Sequence, residues 1–245
     1  MAATAKKKLR GPRGAAPGKP ASSRRAAAQR SGTRLSRERI ADAAMALVDR
    51  DGLEALSFRN LGAELGCEAM SIYHHFPSKA HLMDALIDLV LIEITFPTLA
   101  EQPDWIARLR QAAHSFRAAA LKHPKLFAFF AVHRLNTRRG VGFINGVIGI
   151  LRDAGFPPEP ASRYFRTIGY YLTGAALDET HGYAKGPSAA EPVSNEVIAT
   201  EFGHLAAAAP FFQPRYFQST FEDGLEMLLD GVTRAHKALP GLPKN

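Results

Sequence analysis

Apolar residues recur along this chain at helical spacing almost from end to end. Over 36–50, Ile40, Ala44, Leu47 and Val48 form one inner stripe after Ser36, and Gly52 closes the segment. The stretch Leu56 to Leu82, LSFRNLGAELGCEAMSIYHHFPSKAHL, then reads as two short helices joined by a tight turn. Ser57 can cap the first, because its hydroxyl accepts from a backbone N–H that has no partner in the first turn. Phe58, Leu61 and Leu65 give it an apolar stripe, and Gly66 supplies the left-handed residue that ends it. The second runs from about Ala69 to Phe76, with Ile72 and Phe76 facing inward and Glu68, Ala69, Met70, Ser71, Tyr73 and His74 nearer the outer side. Pro77 stops it, and Ser78 can cap a third helix that reaches Ile94 with Leu82, Leu86, Leu89 and Val90 on one face.

Helical spacing continues after Phe96-Pro97. Further helices are expected over about 104–123, Leu126–Val132, 141–154, 160–180, 194–208 and 215–238. A Pro, Gly and Ser-rich loop is expected over 185–194, and a proline-bracketed loop over Pro210–Pro214. No alternation of β-branched residues signals a strand, and no repeat of 20–50 residues appears. The fold class is therefore all-α. A basic tail (1–35) precedes a helix-turn-helix domain with its connecting helix (36–95), and a helical body follows (96–240).

Two short helices with a glycine turn of three to four residues make a helix-turn-helix, whose second helix fits the major groove of DNA. Gly62, four residues before Gly66, allows close approach of the pair. The stretch resembles the DNA-binding domain of the tetracycline-repressor (TetR) family through Leu56, Arg59, Leu61, Leu65, Gly66, Tyr73, His75, Phe76, Lys79 and Leu82. It departs at Gly62, Cys67 and Ile72, where alanine, valine and leucine are usual. The segments HSFRAAALKHP and IGYYLTGAALDE carry a weaker similarity to the ligand-binding and dimerisation domain of the tetracycline-repressor branch.

The resemblance implies a transcriptional regulator that binds an operator in double-stranded DNA as a homodimer and answers to a small molecule. It implies that Arg59 reaches a base edge, that Tyr73 and Lys79 touch phosphates, and that His75 is structural. On the recognition helix, Glu68 could accept from cytosine N4, Ser71 and His74 could reach base edges, and Ala69 or Met70 could pack on a thymine methyl. The helices at 160–180 and 215–238 resemble the family's dimer-forming pair, with Gly169, Thr173, Ala176 and Gly224 permitting close approach of a partner. The aromatic core (Phe116, Phe127, Phe129, Phe130, Phe143, Tyr170, Tyr171, Phe202) is ordinary packing in part. By resemblance, Phe116, Phe127, Phe130, His133, Phe143, Val147, Tyr170 and Asp178 are expected to line a ligand cavity. A histidine and an acid at places similar to His133 and Asp178 hold a ligand-bound metal in that branch, but His133 equally suits a helix cap and Asp178 a solvated helix end. No metal and no cofactor are expected.

Charge adds one feature. The chain has 31 Lys and Arg against 23 Asp and Glu. Ten of the basic residues and none of the acidic ones fall within residues 1–35, which leaves 21 against 23 elsewhere. That composition has little to bury and reads as disordered; a cationic arm beside a DNA-reading unit suits phosphates, and a solubilising extension is the alternative. Residues 36–95 hold five basic residues against ten acidic ones, so the reading unit itself is acidic. One cysteine excludes an internal disulfide. No apolar run approaches the roughly 18 residues of a membrane span, and no apolar core follows the basic start, so a cytoplasmic protein is expected. No Ser-His-Asp elbow, phosphate-cradling glycine loop or HExxH is present, so no enzyme is expected. The alternatives left open are a constitutive or activating DNA-binding protein and an all-α enzyme with a fused DNA-binding unit.

Overall fold

The computed structural model describes residues 34–182 and 189–240. The basic tail to residue 33 and the first part of the loop expected over 185–194 lie outside the described residues. Among those described there are eleven α-helices and no strand.

Four helices form the head: α1 (Arg37–Asp51), α2 (Phe58–Leu65), α3 (Ala69–Tyr73) and α4 (Lys79–Glu93). The inner stripe of α1 is buried, with Ile40, Ala44 and Val48 fully so. Ser57 caps α2, its hydroxyl accepting from the Asn60 N–H at 3.1 Å. Gly66 takes the left-handed conformation, φ 67°, that turns the chain out of α2. A Cβ on Gly62 would stand 2.7 Å from the Cys67 carbonyl oxygen and 3.4 Å from the Ala69 nitrogen, so only glycine fits this close approach unstrained. Helix α3 ends at Tyr73, three residues short of the expected Phe76. The N–H groups of His75 and Phe76 both still donate to the Ile72 carbonyl at 2.9 Å, a turn that brings the chain to Pro77. Ile72 and Phe76 are fully buried and anchor α3. Helix α4 buries Leu82, Met83, Leu86, Ile87, Val90 and Leu91, because it packs on α1 and also on two helices of the body.

The body contains α5 (Trp105–Lys122), α6 (Pro124–Val132), α7 (Arg138–Asp153), α8 (Pro158–His181), α9 (Asn195–Glu201), α10 (Gly203–Ala208) and α11 (Phe217–Lys237). Helix α8 is central and packs on α5, α6, α7 and α11. Its core neighbours include the fully buried Ile150, Leu151, Phe156 and Leu225, each contributing roughly 1.5–3 kcal/mol by leaving water. Two ion pairs are built into this core. Arg117 meets Glu179 at 2.8 Å with both side chains largely buried, and Arg108, 5% exposed, meets Asp153 at 2.9 Å.

Two expectations about the body are corrected. The helix expected over 194–208 breaks at Phe202, whose backbone (φ −122°, ψ 55°) leaves the helical region and divides it into α9 and α10. Ala176 and Gly224 serve packing within the chain. Ala176 is buried within the chain, and a Cβ on Gly224 would lie 2.5 Å from the Tyr171 hydroxyl oxygen. Gly224 therefore makes room for the Tyr171 ring, which donates its O–H to the Phe221 carbonyl at 2.6 Å.

Candidate DNA-reading head and effector cavity

Burial of Ile72 and Phe76 fixes which side of α3 faces out. Glu68, Met70, Tyr73 and His74 are exposed, Met70 at 63%, while Ala69 and Ser71 are half-buried beside them. Arg59, near the start of α2, and Lys79, at the start of α4, are exposed as well. The Tyr73 ring packs edge-on against Phe58 with centroids 4.5 Å apart, so its hydroxyl is presented from a held position. Arg37 locks the far end of α3: its guanidinium lies 4.2 Å from the centroid of the Phe76 ring and donates to the His75 carbonyl. Cation–π contact of this kind contributes about 0.5–1 kcal/mol at an exposed site. An apolar and hydroxyl-bearing helix with one arginine alongside can read thymine methyls and base edges, with guanine left to Arg59.

The acidic surplus of the head has a place. Four of its carboxylates meet donors of the body along one seam. Both oxygens of Asp49 on α1 lie within 3.0 Å of His123 Nδ1, and Glu93 Oε2 lies 3.3 Å from His123 Nε2. His123 is 5% exposed. Carboxylates only accept, so both contacts are hydrogen bonds when the ring carries a proton on each nitrogen. Lys122 reaches the other oxygen of Glu93 at 2.6 Å. Burial pushes the Glu93 carboxyl up, but its hydrogen bonds to Lys122 and His123 together hold it below its ordinary value. On α4, Asp84 lies 2.9 Å from His133 Nε2, and Asp88 accepts from the Thr137 hydroxyl at 2.6 Å.

Behind the seam lies an apolar cavity of about 180 Å³. Helix α5 contributes Leu109, Ala112, Ala113 and Phe116 to its wall. Phe130, Ala131, His133 and Leu135 come from the end of α6 and the segment after it, and Phe143 and Val147 from α7. The remaining wall is the inner face of α8, with Phe165, Ile168, Gly169, Leu172 and Thr173. His133 and Thr173 supply the polar side chains of the lining, and no carboxylate, lysine or arginine is among it. His133 thus borders the cavity and also holds α4.

Residues 40–86 match the family model of bacterial regulatory proteins, tetR family, and residues 96–235, more than half of the chain, match the tetracyclin repressor-like, C-terminal domain. This chain belongs to the tetR family. It is 28% identical over 202 residues to the tetracycline repressor protein class C of Escherichia coli, covering 82% of this chain and 92% of that one. It is similar in structure to ActR of Streptomyces coelicolor in complex with actinorhodin, with a TM-score of 0.67, 26% identity, and 83% and 99% of the two chains covered. A TetR variant of Acinetobacter baumannii AYE in complex with minocycline gives a TM-score of 0.61 at 25% identity, with the same coverage. As in the tetR family, the chain is an all-α DNA-binding transcriptional regulator with a helix-turn-helix.

Of the residues expected at a ligand site, Phe116, Phe130, His133, Phe143 and Val147 border the cavity. Phe127 stands one layer behind, 2% exposed, with its ring 5.8 Å from Phe116 and 5.7 Å from Phe130. Tyr170 does not belong to the site. It is 64% exposed on the outer face of α8, beside Arg166. Phe202 is also exposed, not core. Asp178 lies on α8 beyond the lining; one of its carboxylate oxygens is buried without a hydrogen-bond partner. His133 engages Asp84 of the connecting helix, and among the described residues no three His, Cys, Asp or Glu side chains gather as a metal site. Phe165, Ile168 and Leu172 were not expected at the cavity, although their spacing of three, four and seven is that of a helix face. Nothing local signals the pairing of His123 with Asp49, 74 positions away.

Proposed function

We propose that this protein is a repressor that binds a pseudo-palindromic operator as a homodimer and releases it when a small molecule fills the cavity. The outer faces of α8 and α11, where Tyr170 and Met227 stand 64% and 72% exposed, are the dimer surface. Arg59, Glu68, Ala69, Met70, Ser71 and His74 read bases, and Tyr73 and Lys79 hold phosphates. The basic tail adds sequence-independent affinity through its ten positive charges. The protein acts in the cytoplasm, on DNA, and carries out no catalysis. No helix among the described residues is long and apolar enough to cross a membrane.

One observation carries the reading: His133 borders the cavity and is bonded to Asp84 on the helix that follows the reading unit. A molecule that moves His133 moves α4, and with it the separation of the two recognition helices in the dimer. Release requires the ligand to favour the separation that does not fit DNA; equal affinity for both shifts nothing. A 100-fold loss of operator affinity corresponds to a coupling of about 2.7 kcal/mol, within the usual range.

Selection from random duplexes tests the first half and is expected to return a two-fold symmetric motif, its half-sites about one helical turn or a multiple apart. Titration of the operator complex with any molecule that stabilises the protein tests the second. If every such molecule leaves operator affinity unchanged, the release mechanism is wrong.

A further inference from the structure

The solved relatives above hold actinorhodin and minocycline, which are polycyclic. The cavity of this chain is built for something else. At about 180 Å³ it lies below the roughly 300–1,000 Å³ of sites that enclose drug-sized molecules. It is close to the roughly 150 Å³ of an apolar cavity that takes benzene. No Asp, Glu, Lys or Arg side chain lines it, and a buried charge without a partner would be neutralised or excluded.

The polar side chains also set a polarity. Asp84 only accepts, so the proton shared at 2.9 Å belongs to His133 Nε2. In the neutral ring this leaves Nδ1 as an acceptor for a ligand. Thr173 on α8 adds a hydroxyl.

We infer that the cavity takes a compact, uncharged molecule the size of one substituted ring, carrying a hydroxyl that donates to His133 and meets Thr173. This rests on the reading of the cavity as the effector site, and names the effector's chemical class. It excludes polycyclic and carboxylate-bearing compounds as ligands of this cavity.

The test uses the full chain and four probes: p-cresol, toluene, 4-hydroxybenzoate and minocycline. Binding is measured by calorimetry and by the shift in melting temperature, without DNA. p-Cresol is expected to bind. Toluene, lacking the hydroxyl, binds about two- to tenfold more weakly, the span expected for one net hydrogen bond. 4-Hydroxybenzoate and minocycline do not bind. Thr173→Val, which keeps the shape, weakens p-cresol by a similar factor. Gly169→Leu, placed where a Cβ meets nothing within 4 Å, fills the wall and abolishes binding. The inference is overturned if p-cresol does not bind, if both variants bind it like the parent, or if either excluded probe binds as tightly. Operator release is scored separately. p-Cresol that binds without releasing DNA leaves the ligand class standing and refutes the effector reading, whereas minocycline that binds and releases DNA does the reverse.

Discussion

Replacing His123 with leucine tests the seam between head and body. The wild-type ring is 5% exposed and spans Asp49 on α1 and Glu93 at the end of α4. Each hydrogen bond to a carboxylate is worth about 1.5–3 kcal/mol. Both acids are about one-third exposed, at 32% and 31%, so water takes over part of what the ring gave. Glu93 also keeps Lys122. Halving the two bonds leaves a net loss of about 1.5–3 kcal/mol. For a chain of this length a kcal/mol moves the melting temperature by about 2–4 °C, so the expected fall is about 3–12 °C. A thermal melt followed by circular dichroism, at fixed protein concentration, measures it. The cycle with Asp49→Asn isolates the pair and is expected to give a coupling of at least about 0.5 kcal/mol. A His123→Leu protein that melts within about 1 °C of the parent, or two substitutions that simply add, would refute the seam as a source of stability.

Arg59→Ala is expected to cost about 1–3 kcal/mol of operator affinity and to relax preference at one base pair per half-site, whereas Tyr73→Phe and Lys79→Ala weaken all duplexes alike; a binding series over single-base operator variants distinguishes the two. Acid is expected to weaken the seam. The Glu93 carboxyl is held below its ordinary 4.5, so its contribution is complete above that value and is lost as pH falls through its lower value in the folded protein, in a window that acid melts will show and Glu93→Gln will abolish. Gly224→Ala is expected to lower the melting temperature. Its methyl would stand 2.5 Å from the Tyr171 hydroxyl oxygen, a misfit costing about 1–3 kcal/mol against a helix gain of at most about 1. Gly149→Ala, with nothing within 4 Å of the new methyl, raises it.

The helix-turn-helix was legible because its signals are local. Ser57, Gly66, Pro77 and Ser78 each act within a few residues, and Ile72 and Phe76 leave α3 only one way to face. The cavity was legible in part. Phe116 and His133 were identified by resemblance, but Tyr170 and Tyr171 are neighbours on a helix, and 100° of rotation sends one outward and the other onto Phe221. Which of the two is buried depends on where α11 lies, and that is absent from the spacing within α8. Gly224 misled for the same reason: a small residue announces a close approach without saying whose. The head's ten acids against five bases looked unfavourable for DNA until the fold turned Asp49, Asp84, Asp88 and Glu93 toward the body.

That seam bears on how such regulators can be recombined. The two family matches meet between residues 86 and 96, which invites a chimera joined there, with one protein's operator specificity and another's sensor. The carboxylates lie at 49, 84, 88 and 93, and their donors at 122, 123, 133 and 137. A graft cut near residue 90 would separate most acids from their counterparts. The transferable module runs instead from Arg37 through Thr137. A biosensor built on this head would keep its own α6, and would exchange only the walls contributed by α7 and α8 to change what it detects.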